Sequence, residues 1–423
     1  VLLQDATSRQ LEQAAAVNHT ALFRQEAAVL GGNVFSREGL EWTSGSPQVP
    51  SMIAFPELGP EQAGERLDEL MHFYLRHPPK GAGCWSLDPP QPVDLGVRLL
   101  ARGFQVGWRP HWMALDLGGV QTQNVSPWGL SIVRDNISSL DKVKGLPYAQ
   151  VIIPSERTAE MPGQWTRFIA RWKGKIVAHS VVFLSSGPEG AAGIYHVGVV
   201  PRARKMGIGK AVTLAACLYA RDKGYRYAVL NSTEAGRRTY QSLGFETIGE
   251  GWTWWLVTDR LLAHPPSPQE VKLAEAIGQG RLDVLHTLRS QFDAAALNRP
   301  MTNGMSWMQL AVHGRQPAAG EWLLGAGAVC TVLDAWDLGW KERARQLLHD
   351  DPAAANQLYG EWDKTLLHVA AERGDEELTR LVLGAAPDLR LKDKAYQSTS
   401  LDWARHFGHN GIVELIEGSR PPK

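Results

Sequence analysis

Three prolines, Pro265, Pro266 and Pro268, interrupt the chain within AHPPSPQ at residues 263–269. Proline has no backbone donor and turns the residue before it away from helix, so neither a helix nor a central strand runs through such a segment. The sequence also changes character there. Before the prolines, β-branched and aromatic runs alternate with helical stretches. After them, nearly everything reads as short helices separated by Gly, Asp and Pro. A domain boundary is expected at this point, and 423 residues leave room for two to four domains.

Within 122–262, strands are expected at about 166–172, 175–185, 193–200 and 226–231, helices at about 208–223 and 234–243, and a last strand from Phe245. Residues 1–121 echo the later part of this pattern. Helix 62–77, strand 83–87, helix 94–102 and the run from Gly103-Phe104 parallel helix 208–223, strand 226–231, helix 234–243 and the run from Gly244-Phe245. Such an echo reads as an internal duplication. The alternative is coincidence, because Gly commonly closes a helix before a strand.

The most informative stretch lies inside the second copy. A β-rich run from Gly193 to Val200 leads through Pro201 into Arg204-Lys205-Met206-Gly207-Ile208-Gly209, and an apolar-periodic helix follows at once. Gly207 and Gly209 permit a tight turn and close approach of a ligand, while the start of a helix presents unpaired N–H groups and a favourable dipole to an anion. That combination suits a pyrophosphate. A Rossmann site would need Gly-x-Gly-x-x-Gly and a later acidic residue.

Val199-Val200-Pro201 followed by Arg204-x-x-Gly207-x-Gly209 resembles the signature of the GNAT superfamily of acyl-CoA-dependent N-acetyltransferases. Thr233-Glu-Ala-Gly-Arg-Arg-Thr-Tyr240-Gln-Ser-Leu-Gly244-Phe245 is similar to that family's later element. The resemblance implies a mixed, mostly antiparallel α/β sheet with flanking helices, here duplicated. It also implies acetyl-CoA as co-substrate with no metal. Backbone amides of Met206, Gly207, Ile208, Gly209, Lys210 and Ala211 would hold the CoA pyrophosphate, with Arg204 and Lys205 at the lip of the turn. Val197 and Val199 would lie along the pantetheine arm, and Thr233 would hydrogen-bond the cofactor.

Tyr240 would protonate the departing thiolate, a role open to a phenol with a pKa of about 10. His196 is the first candidate for the base that the amine requires, with His179 and Glu160 behind it. Strand alternation sets His196 against Val197 and Val199, so it is expected on the opposite face.

In the first copy the turn position reads Pro56-Glu-Leu-Gly-Pro-Glu-Gln-Ala-Gly64, without Gly-x-Gly and with Glu57 and Glu61 where a phosphate would sit. Residues 1–121 therefore read as a degenerate half that packs against an acyl-CoA-binding domain at 122–262. Trp42, Trp85, Trp108 and Trp112 are either core or walls of an acceptor pocket.

Beyond the prolines, Thr365-Leu-Leu-His368-Val-Ala370 closing at Gly374, and Thr399-Ser-Leu-Asp402-Trp-Ala404 closing at Gly408, are offset by 34 residues. Ser306-Trp-Met-Gln309-Leu-Ala311 closing at Gly314 is a third copy, and 273–288 and 333–348 are looser ones. These resemble ankyrin repeats, which implies an all-α solenoid of about five units over 266–423 with a concave face for a protein partner. The solenoid could recruit a substrate, mediate self-association or brace the transferase.

The 44 basic and 44 acidic residues cancel, so no bulk cationic field exists for nucleic acid or an anionic membrane. Cys84, Cys217 and Cys330 lack disulfide or zinc spacing, and Asp5 and Arg9 break any early apolar run; both point to the cytoplasm. The function expected is transfer of an acetyl group to a primary amine of a small molecule or protein by direct attack on the thioester. The alternative is an ankyrin scaffold whose GNAT half binds acyl-CoA as a structural or sensory ligand.

Overall fold

The structure, a computed structural model, describes residues 2–44, 50–120, 127–149, 157 and 164–419. The chain divides into two compact units, Val1–Ser267 and Pro268–Lys423, and the division falls within the proline cluster.

The first unit is built on one sheet of twelve strands among the described residues. These are β1 (Asn33–Arg37), β2 (Leu40–Ser44), β3 (Ser51–Ala54), β4 (Ala82–Leu87), β5 (Phe104–Val106), β6 (His111–Asp116), β7 (Leu130–Arg134), β8 (Trp165–Trp172), β9 (Lys175–Leu184), β10 (Ala192–Val199), β11 (Tyr227–Ser232) and β12 (Glu246–Leu256). The helices are α1 (Ser8–Val29), α2 (Ala63–Arg76), α3 (Leu95–Ala101), α4 (Ile208–Asp222), α5 (Glu234–Gln241) and α6 (Thr258–Ala263). The strand order is β1-β2-β3-β4-β12-β6-β11-β10-β9-β8-β7, with β5 beside β12.

The echo between the halves has a counterpart in the topology. In each half two parallel strands are joined through a helix: β3 and β4 through α2, β10 and β11 through α4. The run from Phe104 to Leu117 is not one strand, however. It breaks at 107–110 into β5 and β6, where Pro110 removes a donor and Gly107 lies so close to Thr253 that a Cβ would meet its Oγ1 at 2.3 Å.

The halves then exchange their last strands. β6, from the first half, pairs with β11, and β12, from the second, pairs with β6 through Glu246–Glu250 and with β4 through Gly251–Leu256. Residues 1–121 and 122–262 thus share one sheet.

Alternation decides the two faces. Met113, Leu115, Val182, Ile194 and Leu230 point toward α4 and α5, where Val212, Ala216 and Cys217 close the core. Trp112, Ala114, Val229, Val181, Phe183 and Tyr195 point the other way, under α1. α1 begins with a capping box in which the Thr7 hydroxyl accepts from the Gln10 amide and the Gln10 side chain reaches back. Asn18 anchors it to the sheet, donating to the carbonyls of Phe183 and Ala191 and to Ser185 Oγ while accepting from Tyr195. Gly193 is required beneath this knot, because a Cβ there would meet Asn18 Oδ1 at 2.0 Å.

The second unit is helical among its described residues, with only isolated bridges between extended segments. Its helices are α7 (Pro268–Gln279), α8 (Leu282–Leu288), α9 (Ala294–Leu297), α10 (Trp307–His313), α11 (Pro317–Gly325), α12 (Val332–Asp337), α13 (Lys341–Asp350), α14 (Leu366–Arg373), α15 (Glu376–Gly384), α16 (Ser400–Phe407) and α17 (Asn410–Gly418). Apart from the short α9 they form successive pairs whose apolar faces meet their neighbours. Ser306, Thr331, Thr365 and Thr399 each begin a pair with a capping box. His368 links two pairs: its Nδ1 accepts from the Thr365 amide, and its Nε2 lies 3.0 Å from the Ser398 carbonyl.

Gly374 and Gly408 close their helices in the left-handed conformation, at φ 71° and 77°. Gly314 does not; its φ is −74°. Its smallness serves a close approach instead, since a Cβ would meet the Gly278 carbonyl of the preceding pair at 2.4 Å.

Candidate active site

The second half departs from regular sheet structure where its two parallel strands separate. β10 and β11 pair only at Ala192–Ala228 and Gly193–Val229. Beyond these, β11 follows β6 as far as Ser232 while β10 stays with β9 and shifts register between Tyr195 and Gly198. A wedge opens between them. His196 lies in the bulge with φ 50°, a left-handed conformation that breaks strand alternation.

The bulge is held from outside. Pro147 crosses over Gly198 so closely that a Cβ there would meet the Pro147 carbonyl at 2.5 Å. His179 Nε2 lies 2.7 Å from that same carbonyl, so this imidazole holds the crossing segment, which argues against its use as the base. Tyr148, on that segment, stacks on His196 with ring centroids 5.8 Å apart. Glu160, the third candidate base, lies outside the described residues.

The wedge leads to the Gly-x-Gly turn. After a short 3₁₀ turn at Pro201–Ala203, Lys205 and Gly207 take left-handed backbone at φ 62° and 77°, and α4 begins at Ile208. The first helical hydrogen bond runs from the Ala211 amide to the Gly207 carbonyl. The Ala211 amide thus already donates within the helix, and its side chain is buried in the core. The amides of Gly207, Ile208, Gly209 and Lys210 precede that bond and keep their capacity to donate. No acidic residue stands in the first turn of α4. Arg204 is exposed, with Nε donating to the Val199 carbonyl, which ties the lip of the turn to the end of β10. Lys205 is exposed, and Met206, Val197 and Val199 pack partly buried against the core.

At the far side, Thr233 caps α5 by accepting from the Gly236 amide, which leaves its hydroxyl hydrogen to donate elsewhere. Tyr240 lies near the end of α5, edge-on to Phe245. Burial, with smaller contributions from Tyr148 and Cys217, pushes its phenol up to about 12. Burial, with His179 nearby, pushes His196 down to about 4, so this imidazole is neutral at neutral pH. Tyr148 is thus the neighbour common to both predicted catalytic side chains.

The first half differs at each of these points. β3 and β4 remain paired over all four residues of β3, and the Phe55 amide extends the ladder to the Trp85 carbonyl. At the start of α2 the Gln62 and Ala63 amides both donate to the Gly59 carbonyl, and Arg98 and Arg102 bind the Pro60 and Gly64 carbonyls. Trp42 belongs to a separate core around α2, whereas Trp85, Trp108 and Trp112 gather under α1.

Sequence reasoning missed α1 and Tyr148. The Thr7-x-x-Gln10 pattern ahead of Leu11, Ala14, Ala15, Asn18 and Leu22 was a readable helix signal.

Residues 143–245 match the acetyltransferase (GNAT) family. No curated protein matches the chain. Similar solved structures include a GCN5-related N-acetyltransferase from Kribbella flavida, 16% identical over 57% of this chain and 95% of the other, with a TM-score of 0.43. A tandem GNAT protein from the clavulanic acid biosynthesis pathway is 16% identical over 60% of this chain and 94% of the other, at TM-score 0.41. An acetyltransferase from Trypanosoma brucei is 23% identical over 28% of this chain and 93% of the other, at TM-score 0.25. At these scores the likenesses bear on neither acceptor nor mechanism. Among the described residues no group of side chains could hold a metal ion, and no helix is long and apolar enough to cross a membrane.

Proposed function

We propose that the chain is an acetyl-CoA-dependent N-acetyltransferase whose active site lies in residues 122–262, with 1–121 as a degenerate partner and 266–423 as an ankyrin-type repeat domain. The observation that carries this reading is the wedge between β10 and β11, which ends at helix amides free to donate to an anion. The pyrophosphate would sit on the amides of Gly207–Lys210, with Arg204 and Lys205 beside it, and the pantetheine arm along Val197 and Val199. CoA supplies an activated acyl group as a thioester. A primary amine would attack its carbonyl, the C–N bond forming and the C–S bond breaking; the thiolate would take the Tyr240 phenol proton, and the proton shed by the new amide nitrogen would pass through water to restore that phenol. A phenol raised to about 12 stays protonated until that moment. His196, neutral and of low basicity, would accept a hydrogen bond from the incoming amine and hold it uncharged.

In the first half, the fully paired strands and the Gln62 and Ala63 amides, both bonded to the Gly59 carbonyl, speak against an equivalent cofactor place. Buried Cys217, on α4, belongs to the core and does not suit an acyl-enzyme route.

Calorimetric titration with acetyl-CoA, followed by assay of free thiol release with a panel of amines, tests this reading. Tyr240→Phe should lower kcat by about 10²–10⁴-fold while leaving acetyl-CoA affinity unchanged. No binding at millimolar acetyl-CoA would refute the reading. Binding without thiol release from any amine would favour a scaffold that senses acyl-CoA.

A further inference from the structure

Tyr148 is 59% exposed, so burial does not account for its place, yet its backbone is left-handed at φ 57°. A residue other than glycine stays in that region only where its surroundings enforce it. Here the preceding residues do so. Leu140 and Leu146 are buried in the core, Gly145 turns at φ 74° against the ring of Pro201, and the Pro147 carbonyl accepts from His179 Nε2 at 2.7 Å. The chain is thus fixed up to the residue before Tyr148, which carries its ring out over the bulge in β10.

There it meets His196. The two rings are stacked with centroids 5.8 Å apart and planes at 29°, and His196 also has left-handed backbone, at φ 50°. Two strained residues therefore serve one contact. In a histidine that works on a substrate, a hydrogen bond at one ring nitrogen ordinarily sets the direction of the other. His196 has none at Nδ1, which is buried without a partner among the described residues. The stack on Tyr148 takes that place and fixes the plane of the imidazole.

The same contact bears on charge. The titratable groups that face His196 are His179 on β9, His19 on α1 and Tyr148, and burial, ahead of His179, pushes the imidazole down to about 4. Part of that cover is the Tyr148 ring. With the ring removed, water reaches the imidazole and its value moves back toward about 6.5. A protonated imidazole can only donate, so it could not accept from an amine.

We propose that Tyr148 is a positioning residue of the transferase inferred above: its ring holds the His196 imidazole so that Nε2, rather than the buried Nδ1, meets the incoming amine. This assignment rests on the transferase reading. Because Tyr148 acts through His196, the effects of losing the two should not add.

The test compares, in the full chain, Tyr148→Phe, which keeps the stack, Tyr148→Ala, which removes it, and Tyr148→Ala combined with His196→Gln. Acetyl-CoA affinity, read by calorimetry, should be unchanged in all three and reports that they fold. The imidazole proton resonance missing from His196→Gln gives the titration by NMR. It should titrate at about 4 in the native chain and in Tyr148→Phe, and at about 6 in Tyr148→Ala. Thiol release is measured with a panel of primary amines that includes tyramine, spermidine, glucosamine and a lysine peptide. For amines that turn over, Tyr148→Ala should lower kcat/KM about 10–100-fold at pH 8, and Tyr148→Phe by no more than about twofold. The deficit of Tyr148→Ala relative to the native chain should deepen below about pH 6.5, a ratio from which the amine's own titration cancels. With His196→Gln already in place, Tyr148→Ala should cost nothing more. An unmoved His196 titration in Tyr148→Ala, or full additivity of the two substitutions, would overturn the positioning role while sparing the transferase reading. No thiol release by the native chain across the panel would overturn the transferase reading, and the role with it, even where the titration moves.

Discussion

Removal of the Asn18 side chain tests how α1 is fastened to the sheet. Its Nδ2 lies 2.8 Å from the Ala191 carbonyl, 2.9 Å from Ser185 Oγ and 3.2 Å from the Phe183 carbonyl, and its Oδ1 accepts from the Tyr195 hydroxyl at 2.6 Å. An amide nitrogen has two hydrogens, so about three full-strength bonds are lost in Asn18→Ala, each worth about 1 kcal/mol net. The Tyr195 hydroxyl would then be stranded in a buried site, whereas the Ala191 carbonyl keeps Ser185 as a partner. The total cost should be about 3–5 kcal/mol. At about 2–4 °C per kcal/mol for a unit of this size, Tm should fall by about 10 °C. Urea unfolding and calorimetry of the full chain provide the measurement. In the double-mutant cycle, Tyr195→Phe should cost less in the Asn18→Ala background than in the native chain. A loss below about 1 kcal/mol for Asn18→Ala, or a Tyr195→Phe cost equal in both backgrounds, would show that α1 is held by apolar packing alone.

Three further outcomes are expected. His19 and His196 are depressed in the folded chain, so their contribution to stability is complete above an unfolded pKa of about 6.5 and is lost as pH falls toward about 3–4; acid titration of the first unit should show this loss, and His19→Phe should shrink it. Burial pushes the Glu26 carboxyl up to about 8, so the folded chain prefers it protonated and its contribution declines between about pH 4.5 and 8. Glu26→Gln should therefore raise stability at pH 8 by about 1–3 kcal/mol, and no gain in urea unfolding at that pH would contradict the assignment. In the second unit, His368→Ala removes the bridge to the Ser398 carbonyl and should cost about 1–3 kcal/mol of that unit's stability; equal unfolding midpoints would show that the bridge is dispensable.

The turn at Gly207 and Gly209 was legible from the sequence because a tight strand-to-helix corner is a local demand on backbone conformation. The same holds for the helix pairs of the second unit, where Thr365 and Thr399 form capping boxes within four residues. The candidate site was legible only in part. Tyr240 stood out through its spacing to Gly244 and Phe245, yet nothing near His179 in sequence reveals that it is held by Pro147, 32 residues away. His196 was assigned a face by strand alternation, and the bulge removes that premise. Gly193, Gly198 and Gly314 look like ordinary glycines until another segment is seen pressed against each.

By itself the sequence determined many of the elements, the division at the prolines and the glycine turn that starts a helix at Ile208, because each depends on residues within one or two turns of one another. Tertiary structure alone decided that the halves exchange their final strands, that the wedge opens in one half and stays closed in the other, and that α1 gathers His19 with tryptophans from distant strands. Those outcomes depend on pairings between segments more than 100 residues apart, such as Glu250 with His111 and Asn18 with Tyr195, and no local pattern encodes which partner will arrive.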